Sequence, residues 1–183
     1  MSTLTIELPP QRTQTDFNLR RWAELLADPA MQKFVGRVET DRYGHAFMSP
    51  PAAADHGGFQ SEISFFLRQL LKEGRVHVEC PVSTADGVRV ADVAWASPKC
   101  VRERGKLIVF PTAPEICVEV LSPDNTAPEM REKAALYFDA GAQEVWHCSK
   151  SGKMAFFTLI AGRTAPLNKS KLCPDFPSQI TLR

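Results

Sequence analysis

Between residues 59 and 149 the chain changes its hydrophobic period several times, and the order of those changes restricts the fold more than any other feature. "FQSEISFFLRQLLKEG" carries Phe59, Ile63, Phe66, Leu67, Leu70 and Leu71 at helical spacing, with Gly74 as its stop. "RVHVECPVS" and "GVRVADVAWAS" then read as two strands joined by a tight turn at Asp86 and Gly87. A charged loop, "PKCVRERGK", separates them from a third strand, "PEICVEVLS". "TAPEMREKAALYFDAG" is a second helix: Thr126 and Glu129 have capping-box spacing, and Gly141 ends it. "QEVWHCS" and "KMAFFTLI" follow as strands around a turn at Ser151 and Gly152. The order αβββαβ predicts a mixed β-sheet flanked by helices, an α/β (α+β) fold. Residues 1–15 read as a loose arm, "DFNLRRWAELLADP" as a short helix closed by Pro29, 34–48 as two short strands, and "SPPAAADHGG" as a loop. The tail "LCPDFPSQITLR" adds an edge strand.

A length of 183 residues suits one domain over 1–183, with 56–149 as its core. Apolar residues make up 44% and charged ones 23%, the profile of a globular protein. The net charge of +1 gives no general pull towards nucleic acid or membrane, although a local patch remains compatible with it. Five cysteines without a CxxC pair argue for a reduced, cytoplasmic protein and against a zinc site. The N-terminus lacks a signal-peptide pattern, and no apolar run approaches the roughly 20 residues of a membrane span.

Three charges stand where apolar residues are expected. Asp92 lies in "RVADVAWAS", on the face of Val88, Val90 and Ala94 by strand alternation. Glu119 lies in "PEICVEVLS", with Cys117 and Leu121 on its side and Ile116, Val118 and Val120 on the other. Lys133 sits at the centre of a helical stripe with Met130, Tyr137 and Ala140, all within about 60° of it. Taken singly, each has a plain explanation: a strand acid facing water at a sheet edge, a lysine snorkelling to the surface. Taken together, they can converge at one end of the sheet. Two carboxylates repel unless a cation lies between them, and oxygen ligands suit Mg²⁺ or Mn²⁺. A lysine beside them can offset phosphate charge and orient water, which is an arrangement for metal-assisted phosphodiester hydrolysis.

The element order and these three residues resemble the PD-(D/E)xK nuclease superfamily. More narrowly, "MSPPAAADHGGFQSEI", "VADVAWAS", "PEICVEVLSPDNT", "EMREKAALYFDAGAQEVW" and "FPSQI" are similar to the Uma-two family of restriction endonucleases. The resemblance implies a restriction endonuclease-like core, with Asp92, Glu119 and Lys133 as catalytic residues. It places the metal on Asp92, Glu119 and the main-chain carbonyl of Val120. The superfamily's usual lysine position, two residues past the glutamate, is Leu121 here, so Lys133 is the migrated replacement. Ala91 takes the place of the motif's proline. His56 matches a family histidine at the start of the first core helix and shares a face with Gln60; both are secondary candidates. Glu39 matches an acid of the family's N-terminal strand. Glu129, one turn before Lys133, either steers that lysine or serves only the capping box. Glu62 lies opposite the apolar stripe and reads as solvated.

The leading reading is a Mg²⁺- or Mn²⁺-dependent endonuclease acting on DNA, working as a homodimer. Two other classes stay open: a non-catalytic dimeric DNA-binding or regulatory protein on the same fold, and a metal-dependent hydrolase of another phosphate ester. Phosphate contacts need Lys and Arg, and the evident clusters are Arg102, Arg104 and Lys106, with Arg20 and Arg21.

Overall fold

The structure is a computed structural model that describes residues 11–123 and 125–182. Helix α1 spans Gln11–Ala27, so the expected arm is helical over 11–15, while residues 1–10 lie outside the described residues. Strands β1 (Arg37–Thr40) and β2 (Ala46–Ser49) pair antiparallel as a separate two-stranded sheet. Helix α2 runs Ala54–Leu70 and includes the stretch around Gly57 and Gly58 that reads as a loop from sequence. It ends at Leu70, and Gly74 instead turns the chain into β3 with φ +84°.

β3 (Arg75–Thr84), β4 (Gly87–Ala96), β5 (Ile116–Val120), β6 (Glu144–Cys148), β7 (Met154–Ile160) and β8 (Arg163–Leu167) form one mixed sheet in sequence order. β5 and β6 are its parallel pair, which requires a crossover; helix α4 (Ala127–Asp139) supplies it. The Thr126–Glu129 capping box is present, with Ala140 as C-cap and Gly141 beyond it at φ +109°. The charged segment after β4 is not a loop but a short helix, α3 (Pro98–Arg104), whose Ser97 hydroxyl accepts the Cys100 N–H. The sheet's edge is β8 rather than the tail, which among the described residues makes a single bridge, Lys153 with Gln179. That bridge needs Gly152: at φ +80°, a Cβ there would lie 2.0 Å from the Ile180 carbonyl oxygen.

Three apolar clusters hold these layers. Phe59, Ile63 and Leu67 of α2 pack on Val93, Val118, Trp146, Phe156 and Phe176. Tyr137 and Phe138 of α4 pack on the opposite face with Ala94, Cys117 and Val145. Trp22 and Leu25 of α1 cover Val88 and Val90. All five cysteines are buried and free. Among the described residues no helix is long and apolar enough to cross a membrane.

One irregularity governs the site. Side-chain alternation along β4 slips at Asp92: Ala91 and Ala94, three residues apart, lie in the same cluster, while Val93 joins the α2 face. The slip coincides with Glu79 on β3, which has φ +50° and drops out of the ladder opposite Asp92, the register being the same on either side. Asp92 therefore does not keep the environment of Ala94, as simple alternation predicts.

Candidate active site

The β4–β5 ladder runs through Trp95–Ile116, Ala94–Cys117 and Val93–Val118 and stops there. Beyond it β4 and β5 no longer pair with each other, although Val90 still pairs with Pro81 on β3 and Val120 with Cys148 on β6. Side chains take over. The Val120 N–H donates to Asp92 Oδ2 at 2.6 Å, and the Val90 N–H to Glu39 Oε1 at 2.7 Å. Lys133 Nζ donates to the Val90 carbonyl at 3.3 Å. The site is thus built on a fork between strands, where side chains can enter from both faces of the sheet.

Asp92 is 1% exposed. Its Oδ1 receives His56 Nε2 at 3.0 Å and Gln60 Nε2 at 3.1 Å, both from α2. Arg37 Nη2, from β1, also contacts Oδ1 directly. Burial pushes the carboxyl's pKa up, but the His56 hydrogen bond and the Arg37 charge outweigh it and hold Asp92 at about 2. The bond to Asp92 in turn raises His56 above the usual imidazole value, against some burial.

Glu119, 4% exposed, draws its partners from α4. Tyr137 Oη donates to Oε1 at 2.8 Å and Lys133 Nζ to Oε2 at 3.1 Å. Burial pushes Glu119 up to about 7; Lys133 opposes this, and Asp92 adds to it by repulsion. Lys133 also meets Glu39 Oε1 at 3.0 Å. Burial lowers the lysine's pKa, but Glu119 and then Glu39 more than compensate, so it is raised and stays charged. Lys133 does not snorkel: its stem lies on the apolar stripe, and its ammonium points into the fork.

The structure brings together Asp92, Glu119, Lys133, His56, Gln60, Glu39 and the backbone of Val120. Glu129 goes elsewhere, with its carboxylate on the Thr126 N–H at 3.3 Å. The expected basic clusters are partly spent on local structure. Arg104 bonds the Leu107 carbonyl and lies over the Phe110 ring, Arg21 bonds the Gly44 carbonyl, and Arg20 lies over Phe17.

Four residues at the site escape sequence reasoning. Tyr137, one turn beyond Lys133, reads simply as part of an apolar stripe. Arg37 sits on a four-residue strand and pairs with Glu79 at 2.8 and 2.9 Å. Glu79, an acid in the middle of "VHVECPV", carries the same out-of-place signal as Asp92. His147 lies in register beside Glu119 on β6; burial and then Lys133 push it down to about 4, leaving a neutral ring whose Nε2 makes no hydrogen bond among the described residues.

Asp92 and Glu119 offer hard carboxylate oxygens, the donor type that suits Mg²⁺ or Mn²⁺. Among the described residues no three His, Cys, Asp or Glu side chains group into a metal site by themselves. A hard divalent cation held by these two carboxylates would have to take its remaining oxygens from backbone, water or substrate.

Comparison with known proteins identifies the family and the fold. Residues 32–182 match the family described as "Putative restriction endonuclease", Uma2. A solved structure, described as a "putative nuclease belonging to DUF820 from Anabaena variabilis ATCC 29413", superposes with a TM-score of 0.60 at 19% identity, covering 75% of this chain and 82% of that one. No curated protein matches. The family match extends over most of the chain, and the solved structure shares the fold: the chain belongs to the Uma2 family, the restriction endonuclease-like group that its sequence resembles.

Proposed function

We propose that the fork is the active site of an endonuclease that hydrolyses phosphodiester bonds in DNA with Mg²⁺ or Mn²⁺. The observation that carries this reading is Lys133. A buried ammonium, held between Glu119 and Glu39, is costly as a purely structural device, and its place next to two carboxylates suits phosphoryl chemistry. Asp92 and Glu119 would hold the cation, with the Val120 carbonyl as a further oxygen. When bound, the cation would polarise the scissile phosphate and acidify a water.

The chain's own residues do the rest. His56 and Gln60 fix the Asp92 carboxylate, and the Val120 N–H fixes its other oxygen. Tyr137 orients Glu119. Lys133 would supply positive charge where the pentavalent phosphate gains negative charge; its three donors are held by Glu119, Glu39 and the Val90 carbonyl, so it would take the attacking water only by releasing one of them, the 3.3 Å bond to Val90 being the longest. Because Glu119 titrates near 7, it becomes a full anion only towards neutral and alkaline pH, so cation binding strengthens as pH rises through that range.

The test is divalent-dependent cleavage of mixed single- and double-stranded DNA. Wild-type protein should cleave with Mg²⁺ or Mn²⁺ and stop with EDTA. Asp92→Asn and Lys133→Met, confirmed as folded, should lose roughly 10²–10³ in rate or more. DNA binding without cleavage would favour the non-catalytic binding protein. Cleavage of a small phosphodiester but not DNA would favour the other hydrolase.

A further inference from the structure

Arg37 and Glu79 lie outside the roles assigned above, and three features set their pair apart from an ordinary ion pair. Asp92 is satisfied without Arg37: Val120 N–H, Gln60 and His56 already serve its two oxygens. Glu79 occupies the left-handed region at φ +50° in the middle of a ten-residue strand, a conformation unfavourable for a non-glycine residue and one that clusters at functional sites. The guanidinium is shared: Nε donates to Glu79 Oε2 at 2.9 Å, while Nη2 reaches both Glu79 Oε1 at 2.8 Å and Asp92. Arg37 is 20% exposed, so it lies at the rim of the site, with a path outward.

A guanidinium on Asp92 neutralises the charge a metal ion needs. A divalent cation can exchange for it only if the arginine has somewhere to go. Glu79 provides that place, because its two bonds to Arg37 survive when the contact with Asp92 is released. We propose that Arg37 is a built-in counter-ion that holds Asp92 until a divalent cation displaces it, and that Glu79 is the anion onto which the guanidinium withdraws. The proposal rests on the reading of Asp92 and Glu119 as the metal carboxylates. It makes Arg37 a positioning residue that sets the cation concentration at which the site loads.

The experiment is Mn²⁺ binding, by titration calorimetry or loss of the free-ion paramagnetic signal, with no nucleic acid present. Arg37→Met should tighten the Mn²⁺ dissociation constant on the order of tenfold, within the usual span of coupling between two ligands of one protein. Glu79→Gln should weaken it, because Arg37 then has Asp92 as its only carboxylate partner. Glu79 also accepts from Gln60 Nε2 at 2.7 Å, so Glu79→Gln in the Arg37→Met background should change binding much less than in the wild type rather than not at all, the larger part of its effect passing through the arginine. A simple charge effect predicts instead that the two changes add, and additivity overturns the proposal. So does a dissociation constant for Arg37→Met equal to or weaker than wild type, while Asp92→Asn abolishes binding. Glu79 is half exposed, so its variant keeps the test available if Arg37→Met fails to fold. Mn²⁺ binding that survives Asp92→Asn removes the metal reading itself and this proposal with it.

Discussion

Replacing Glu119 by Gln should remove part of the protein's pH dependence. The folded protein holds Glu119 at about 7 against an ordinary value of 4.5, with burial as the largest cause. Between those values the folded state keeps a proton that the unfolded chain has released, so stability falls as pH rises through the window. At about 1.4 kcal/mol per pH unit, the gap is worth about 3 kcal/mol. Glutamine occupies the same space and never titrates. Relative to wild type, Glu119→Gln should therefore gain about 3 kcal/mol between pH 4.5 and pH 8. His56, raised above its usual value, slopes the same way in both proteins: its contribution is full below about 6.5 and fades as pH passes its folded value. Asp92, held at about 2, loses its contribution only in stronger acid. The difference between variant and wild type thus reports Glu119 together with Lys133, whose raised pKa Glu119 supports most. Urea unfolding in EDTA, extrapolated at several pH values, measures it. A difference constant to within about 1 kcal/mol across the range refutes the burial argument.

Two further outcomes follow from the same contacts. Lys133→Met should cost about 3–5 kcal/mol at pH 8, because Glu119 and Glu39 lose their shared cation, and the cost should shrink by pH 5 as Glu119 protonates; thermal melts at the two pH values check it. Glu144, buried, accepts from Trp146 Nε1, Ser170 Oγ and the N–H groups of Lys171 and Leu172, so Glu144→Gln should lower stability by roughly 1–3 kcal/mol while leaving cleavage by the folded protein unchanged.

Glu144 also shows the limit of the signal that found the site. An acid inside an apolar strand marks Asp92 and Glu119, but it marks Glu144 equally well, and Glu144 only ties the C-terminal loop to the sheet. What distinguishes them is a cation: Lys133 and Arg37 face the fork, whereas Glu144 meets neutral donors. Lys133 was legible because a lysine at the centre of an apolar stripe is anomalous by itself. Arg37 was not, since its partners lie 42 and 55 residues away and nothing local marks it. The main elements were legible through their periods, and the exceptions have local causes. Helix α3 hides in a run of charges, although Ser97 followed by Pro98 is a helix-start pattern. β8 contains Pro166 and polar residues, tolerated because it is an edge strand. The Gly57–Gly58 pair reads as a break, yet both lie within α2.

The most direct test of the account is a crystal structure soaked with Mn²⁺ and read by anomalous scattering. The account predicts one strong peak in the fork, with carboxylate oxygens of both Asp92 and Glu119 at roughly 2.0–2.6 Å and Arg37 withdrawn from Asp92 onto Glu79. A saturating soak that puts the peak elsewhere, or leaves Arg37 on Asp92 with no ion between the two acids, contradicts it.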